Sequence, residues 1–207
     1  MKAIFYDWGG LNLWLFHIIN NVRGSFIDAF MLLGSRLGEY TNFPLYIAIV
    51  TIAALVQSAR AAARDDVVGE VALKAWLVTL AVFACANTID GFLIGSLKHW
   101  LDFPRPPSVL SPELLHVIGT PKYTYSLPSG HAAFAMTVAA SLWPALNCPA
   151  RIGLAGYVLW VGISRVSLGM HFPADVTAGY ALALVVVLIL RFILDRYRHP
   201  AGRNANV

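Results

Sequence analysis

Three short strings in this chain carry side chains suited to holding and moving a phosphate. Lys98 leads to Arg105-Pro106 (K-x6-R-P), Pro128-Ser129-Gly130-His131 follows, and Ser164-Arg165 leads to His171 and Asp175 (S-R-x5-H-x3-D). Together they offer three fixed cations, a hydroxyl beside a glycine, two histidines and a carboxylate. Phosphoryl transfer depends mostly on positioning and on neutralising charge, so this set can cradle a phosphate and pass it through an imidazole.

Each string has a physical reading of its own. His171 and Asp175 are four residues apart at the start of an apolar run, so they share a helical face. A carboxylate on one ring nitrogen fixes the tautomer and leaves the other nitrogen as a lone pair. Pro173 suits an early helical position, which sets His171 just before the helix. Arg165 can fork onto two phosphate oxygens. In the second string Ser129 is a good N-cap, and the free N–H groups near Gly130 and His131 form an anion site. Glycine lets the backbone come close to a phosphate, and His131 stands in the first turn, placed to give a proton to a leaving oxygen. In the first string Lys98 closes an apolar run, and Arg105 follows in a turn stiffened by Pro104, Pro106 and Pro107. Taken singly, each string also reads blandly: a helix cap with an interfacial arginine, a capped helix start, and cations snorkelling at a membrane boundary. Their conjunction, in complementary roles, favours the phosphate site.

The elements that carry them are those of an integral membrane protein. The chain is 58% hydrophobic and only 13% charged, against about a quarter charged in soluble domains. Its mean hydropathy is +0.65. The net charge of +4 does not point to nucleic acid, because no basic run is long enough and the cations border apolar spans. Segments 11–22 and 25–35 are too short to cross a bilayer and read as helices along the interface. Five spans are expected at 42–59, 70–97, 129–147, 150–167 and 173–194, with a sixth if 11–35 crosses as one tilted helix. Backbone groups in lipid must be satisfied within the segment, so the spans are helices. Residues 1–207 then form one domain: N-terminal helices over 1–41, two spans over 42–97, a long loop over 98–128, three spans over 129–194 and a tail over 195–207. Cys85 and Cys148 read as small packing residues.

Charge gives an orientation. Arg60, Arg64, Arg151, Arg191, Arg196, Arg198 and Arg203 fall on one side, whereas Lys98, Arg105, Lys122 and Arg165 fall on the other. The positive-inside rule puts the first side and the C-terminus in the cytoplasm, and all three strings outside it.

The three strings together resemble the signature of the type 2 phosphatidic acid phosphatase (PAP2) superfamily, in its membrane-bound bacterial branch, with no departure in the signature residues, which span 98–175. The resemblance implies an all-α bundle of five to six transmembrane helices in a bacterial inner membrane, and catalysis without a metal or other cofactor. It also implies that His171 attacks phosphorus, Asp175 orients it, and His131 protonates the departing oxygen and then activates water. Lys98, Arg105, Ser129, Gly130 and Arg165 would hold the phosphoryl oxygens. The partners implied are the membrane and a lipid phosphate or diphosphate, with undecaprenyl diphosphate first. Phosphatidylglycerol phosphate, phosphatidic acid and the lipid A 1-phosphate are alternatives, as are phosphotransfer to lipid A, vanadate-dependent halide oxidation and non-enzymatic lipid transport. Nothing in the sequence specifies an oligomer.

Outside the strings, Asp90 lies in an apolar span near Asn87 and Thr88, where a carboxylate is costly. It reads either as support for Lys98 or as a helix–helix hydrogen bond. His116, Lys122, Tyr123 and Tyr125 belong to the long loop, solvated or facing a headgroup.

Overall fold

The computed structural model describes residues 6–198, and among them every regular element is helical. Seven helices are longer than one turn: α1 (Leu11–Asn20), α2 (Ser25–Leu37), α3 (Phe43–Ala62), α4 (Asp66–Leu101), α5 (Gly130–Leu142), α6 (Cys148–Ser167) and α7 (Pro173–Arg198). Their starts are written in the sequence. Asp65 caps α4 by accepting from the N–H groups of Val67 and Val68, and Asn147 caps α6 by accepting from Ala150. Pro44, Pro149 and Pro173 occupy first-turn positions, where the missing N–H is no loss.

The segments Tyr40–Ala62, Asp66–Val109 and Pro173–Leu194 are long and apolar enough to cross a membrane. Helix α4 has 36 residues and runs about 54 Å at about 1.5 Å per residue. That exceeds the hydrocarbon thickness of about 30 Å, so its last turns, with Lys98, stand near or beyond the membrane surface. The protein is an integral membrane protein of helical-bundle architecture.

Two expected boundaries shift. Segment 129–147 is a helix of only 13 residues, about 20 Å long, that passes into a 3-10 turn at Trp143–Ala145. Pro144 cannot continue the α-helical hydrogen bonding. Helix α5 instead fills the middle of the bundle, where the small residues Ala132, Ala133, Ala135 and Ala139 are buried and let neighbouring helices approach. A Cβ on Gly179 of α7 would stand 2.5 Å from the Ser129 carbonyl oxygen, so glycine is required for α7 to lie against the start of α5. The tail expected from 195 is still helical to Arg198, and its remainder, residues 199–207 with Arg203, lies outside the described residues. Cys85 and Cys148 are exposed rather than packed inside.

Helices α1 and α2 are too short to span and leave Trp14, Ile18 and Phe26 exposed. Phe16 points the other way, into a cluster with Ala132, Val166, Phe172 and Val176. At the end of α1, the Asn20 amide donates to the carbonyls of His116, Val166 and Ser167 and accepts from the His116 N–H at 3.0 Å. The N-terminal helices are thereby tied to the long loop and to the turn that carries His171.

Candidate active site

His171 sits in the turn between α6 and α7. Its own N–H and that of Met170 both donate to the Arg165 carbonyl, at 3.2 and 3.1 Å, which folds the turn back on the end of α6. Gly169 makes the fold-back possible: its φ is +71°, and a Cβ there would stand 2.4 Å from the His116 carbonyl oxygen.

The ring of His171 is 2% exposed and held at both nitrogens. Nδ1 lies 3.3 Å from Oδ2 of Asp175, and Nε2 lies 3.1 Å from Nη1 of Arg105. A guanidinium has no acceptor, so Nε2 must carry the lone pair and Nδ1 the proton. Nδ1–H then donates to the carboxylate. Burial, followed by the charges of Arg105, Arg165 and Lys98, holds the His171 imidazole well below its ordinary range, so it is neutral.

Asp175, in the first turn of α7, is fully buried and well supplied with donors. Oδ2 accepts from the Ser126 hydroxyl at 2.5 Å and from the Phe172 N–H at 2.8 Å, and Oδ1 accepts from the Tyr6 hydroxyl at 2.9 Å. Burial and the neighbouring Asp175 carboxylate push the Tyr6 phenol upward, so it remains a donor. Neither Tyr6 nor Ser126 belongs to a signature string. Tyr6 is 169 residues from its partner, and no local pattern marks it.

Arg105 opens the single helical turn Pro106–Val109. Its Nε donates to the Thr124 carbonyl at 2.8 Å, Nη1 to the Met170 carbonyl at 2.9 Å as well as to His171, and Nη2 to the Tyr125 carbonyl at 3.2 Å. Lys98 donates to the same Tyr125 carbonyl at 2.6 Å. Arg165 donates through Nη1 to the hydroxyl of Ser35 in α2, while its buried Nε has no partner among the described residues.

Ser129 occupies the N-cap position of α5, but its hydroxyl makes no capping bond and is buried without a partner among the described residues. Its backbone is held instead: the N–H donates to the Asp175 carbonyl at 2.9 Å, joining the starts of α5 and α7. Asp90 does not reach Lys98. It accepts from the Thr137 hydroxyl at 2.5 Å, a bond between α4 and α5.

A cavity of about 570 Å³ is lined by Lys98, Arg105, Gly130, His131, Arg165 and His171. Six of the eight expected residues therefore border one void, while Asp175 and Ser129 are not among its lining residues. Among the described residues, no group of three or more His, Cys, Asp and Glu side chains is arranged to hold a metal ion. The arrangement presents a neutral imidazole, a second imidazole and several cations to one space.

The family model of the PAP2 superfamily matches residues 76–198, more than half of the chain. The chain belongs to the PAP2 superfamily. It is an enzyme of the lipid-phosphatase type. An undecaprenyl-diphosphatase of Sulfolobus acidocaldarius is 27% identical over 84% of this chain and 73% of its own length. A phosphatidylglycerophosphatase B of Bacillus subtilis is 32% identical over 57% of this chain, which spans 58% of that relative. Among solved structures, Aquifex aeolicus LpxE superposes with a TM-score of 0.69 at 27% identity, covering 88% of this chain and 95% of that one.

Proposed function

We propose that this PAP2 enzyme hydrolyses the terminal phosphate of a membrane lipid through a phosphohistidine on His171. The carrying observation is the pair of bonds on that ring, with Nδ1–H on Asp175 and the lone pair of Nε2 facing the cation-lined cavity. In the first step the Nε2 lone pair forms a bond to phosphorus as the bond from phosphorus to the leaving oxygen breaks. Burial and the surrounding cations hold His131 low by themselves, and the anionic phosphate opposes those cations, so His131 takes up a proton as substrate binds and gives it to that oxygen. In the second step His131 takes a proton from water, the water oxygen bonds to phosphorus, and the bond between phosphorus and nitrogen breaks to free phosphate. Lys98, Arg105, Arg165 and the Gly130 N–H, all of which border the cavity, neutralise the oxygens that gain charge. Arg105 shifts its Nη1 donor from the nucleophile to a phosphoryl oxygen as substrate arrives.

Undecaprenyl diphosphate is the first substrate, since the undecaprenyl-diphosphatase relative aligns with 84% of this chain. Phosphatidylglycerol phosphate, phosphatidic acid and the lipid A 1-phosphate follow, the first supported by the Bacillus subtilis relative. The distribution of arginines supports an inner-membrane protein with a cytoplasmic C-terminus and a site opening to the outside. The test is phosphate release from these four lipids by purified protein in the presence of a chelator. Release is expected from at least one lipid, with radiolabel from a labelled terminal phosphate trapped on the protein. Near-normal release by His171→Ala would overturn the mechanism, and loss of release on chelation would overturn its independence of metal.

A further inference from the structure

Lys122 belongs to none of the three strings, yet it borders the same cavity as Lys98, Arg105, His131, Arg165 and His171. It is exposed and makes no hydrogen bond or ion pair among the described residues. Lys122 thus shares one void with His131, the residue assigned to the leaving oxygen.

The loop that carries Lys122 is fixed from the next residue onward. The Tyr123 carbonyl accepts from the Arg105 N–H at 3.0 Å and from the Ser108 hydroxyl. The Thr124 and Tyr125 carbonyls accept from Arg105 and Lys98, and the Ser126 N–H donates to the Phe103 carbonyl at 2.9 Å. The same cations that form the cradle therefore pin the backbone beside Lys122. Only its flexible four-carbon stem remains to be ordered.

Three cations already serve one phosphoryl group, whose charge is about −1.5 to −2 at neutral pH. A fourth has no counterpart on a lipid monophosphate. On a diphosphate it has one: the oxygen that His131 protonates belongs to the second phosphate, which must then lie beside His131. We infer that Lys122 binds this lipid-side phosphate, so that the site favours lipid diphosphates over monophosphates. The inference rests on the phosphatase reading above and names the substrate class of that site. Lys122 meets a charge that grows as the phosphorus–oxygen bond breaks, so its effect belongs to the transition state as well as to binding.

The test uses one polyprenyl chain in two forms, a C15 diphosphate and the C15 monophosphate, with initial phosphate release measured in detergent micelles. The readout is the ratio of kcat/KM for diphosphate over monophosphate. Lys122→Met keeps the stem and removes the charge. It is expected to lower the ratio about tenfold, the scale of one charge-assisted hydrogen bond. Lys122→Arg is expected to hold the ratio within about threefold of the parent protein on the same scale. An equal loss on both substrates, as from general attraction of anions or impaired folding, leaves the ratio unchanged and overturns the inference. An unchanged ratio with unchanged rates does the same. If the parent protein released phosphate from neither form nor from the four lipids above, the phosphatase reading itself would fall.

Discussion

Arg105 donates from Nη1 to Nε2 of His171 across 3.1 Å, and this one bond settles which nitrogen of the imidazole carries its proton. The same guanidinium holds the carbonyls of Thr124, Tyr125 and Met170, so four of its five N–H groups are committed. Lysine keeps the charge but has neither the planar fork nor the reach to serve these directions together. Arg105→Lys is therefore expected to lower kcat/KM for phosphate release by about 10²–10³. A loss below tenfold would mean that charge alone suffices there.

Tyr6 is expected to act on turnover through Asp175. Tyr6→Phe removes one donor from the carboxylate and should lower kcat about three- to tenfold, the size of one hydrogen bond, with KM nearly unchanged. In an Asp175→Asn background the same change should cost less than about twofold, because coupled residues do not add. An undiminished effect in that background would show that Tyr6 works elsewhere.

Arg165 is buried beside α2, and its Nη1 bonds the Ser35 hydroxyl. Arg165→Ala should cost at least about 10² in kcat/KM, the loss associated with one oxyanion donor. Ser35→Ala leaves the charge but frees the guanidinium from its support, and about a three- to tenfold loss is expected. Equal rates for Ser35→Ala and the parent protein would remove α2 from the site.

Stability should fall on the acid side. The folded state holds His171 neutral, well below its ordinary value near 6.5, while the unfolded chain takes up a proton as pH drops through that value. The unfolded state then binds more protons, so stability decreases as pH falls below about 6.5, by at most about 1.4 kcal/mol per pH unit for this group. The thermal midpoint in detergent should be lower at pH 5.5 than at pH 7.5. His171→Gln should lessen the difference without abolishing it, because burial holds His131 below its ordinary range as well, and an equally steep fall in that variant would assign the effect to other groups.

The residues that meet at the cavity were legible because the superfamily signature is local: His171 and Asp175 meet across four residues, and Lys98 and Arg105 flank one turn. Helix starts were legible for the same reason, through Asn147, Pro149 and Pro173. What supports the residues at the cavity was not. Tyr6, Ser35 and Ser126 reach their partners across 169, 130 and 49 residues, and a lone hydroxyl in an apolar sequence gives no hint of its acceptor. Asn20 stands at the end of an apolar stretch with no local sign of a partner, yet it is the clamp that fastens α1 to His116, Val166 and Ser167. The length of α5 was misjudged because hydropathy does not separate a helix facing lipid from one enclosed by its neighbours.

The hydroxyl that Tyr6 sends to Asp175 bears on how such enzymes are sorted by sequence. A version shortened by its first ten residues would keep all three strings and match the superfamily pattern in full. It would nonetheless lack one donor on the Asp175 carboxylate. A matching pattern marks descent, whereas the support of Asp175 also comes from the far end of the chain, so a gene whose predicted start falls a few codons late would lose that donor under an intact signature.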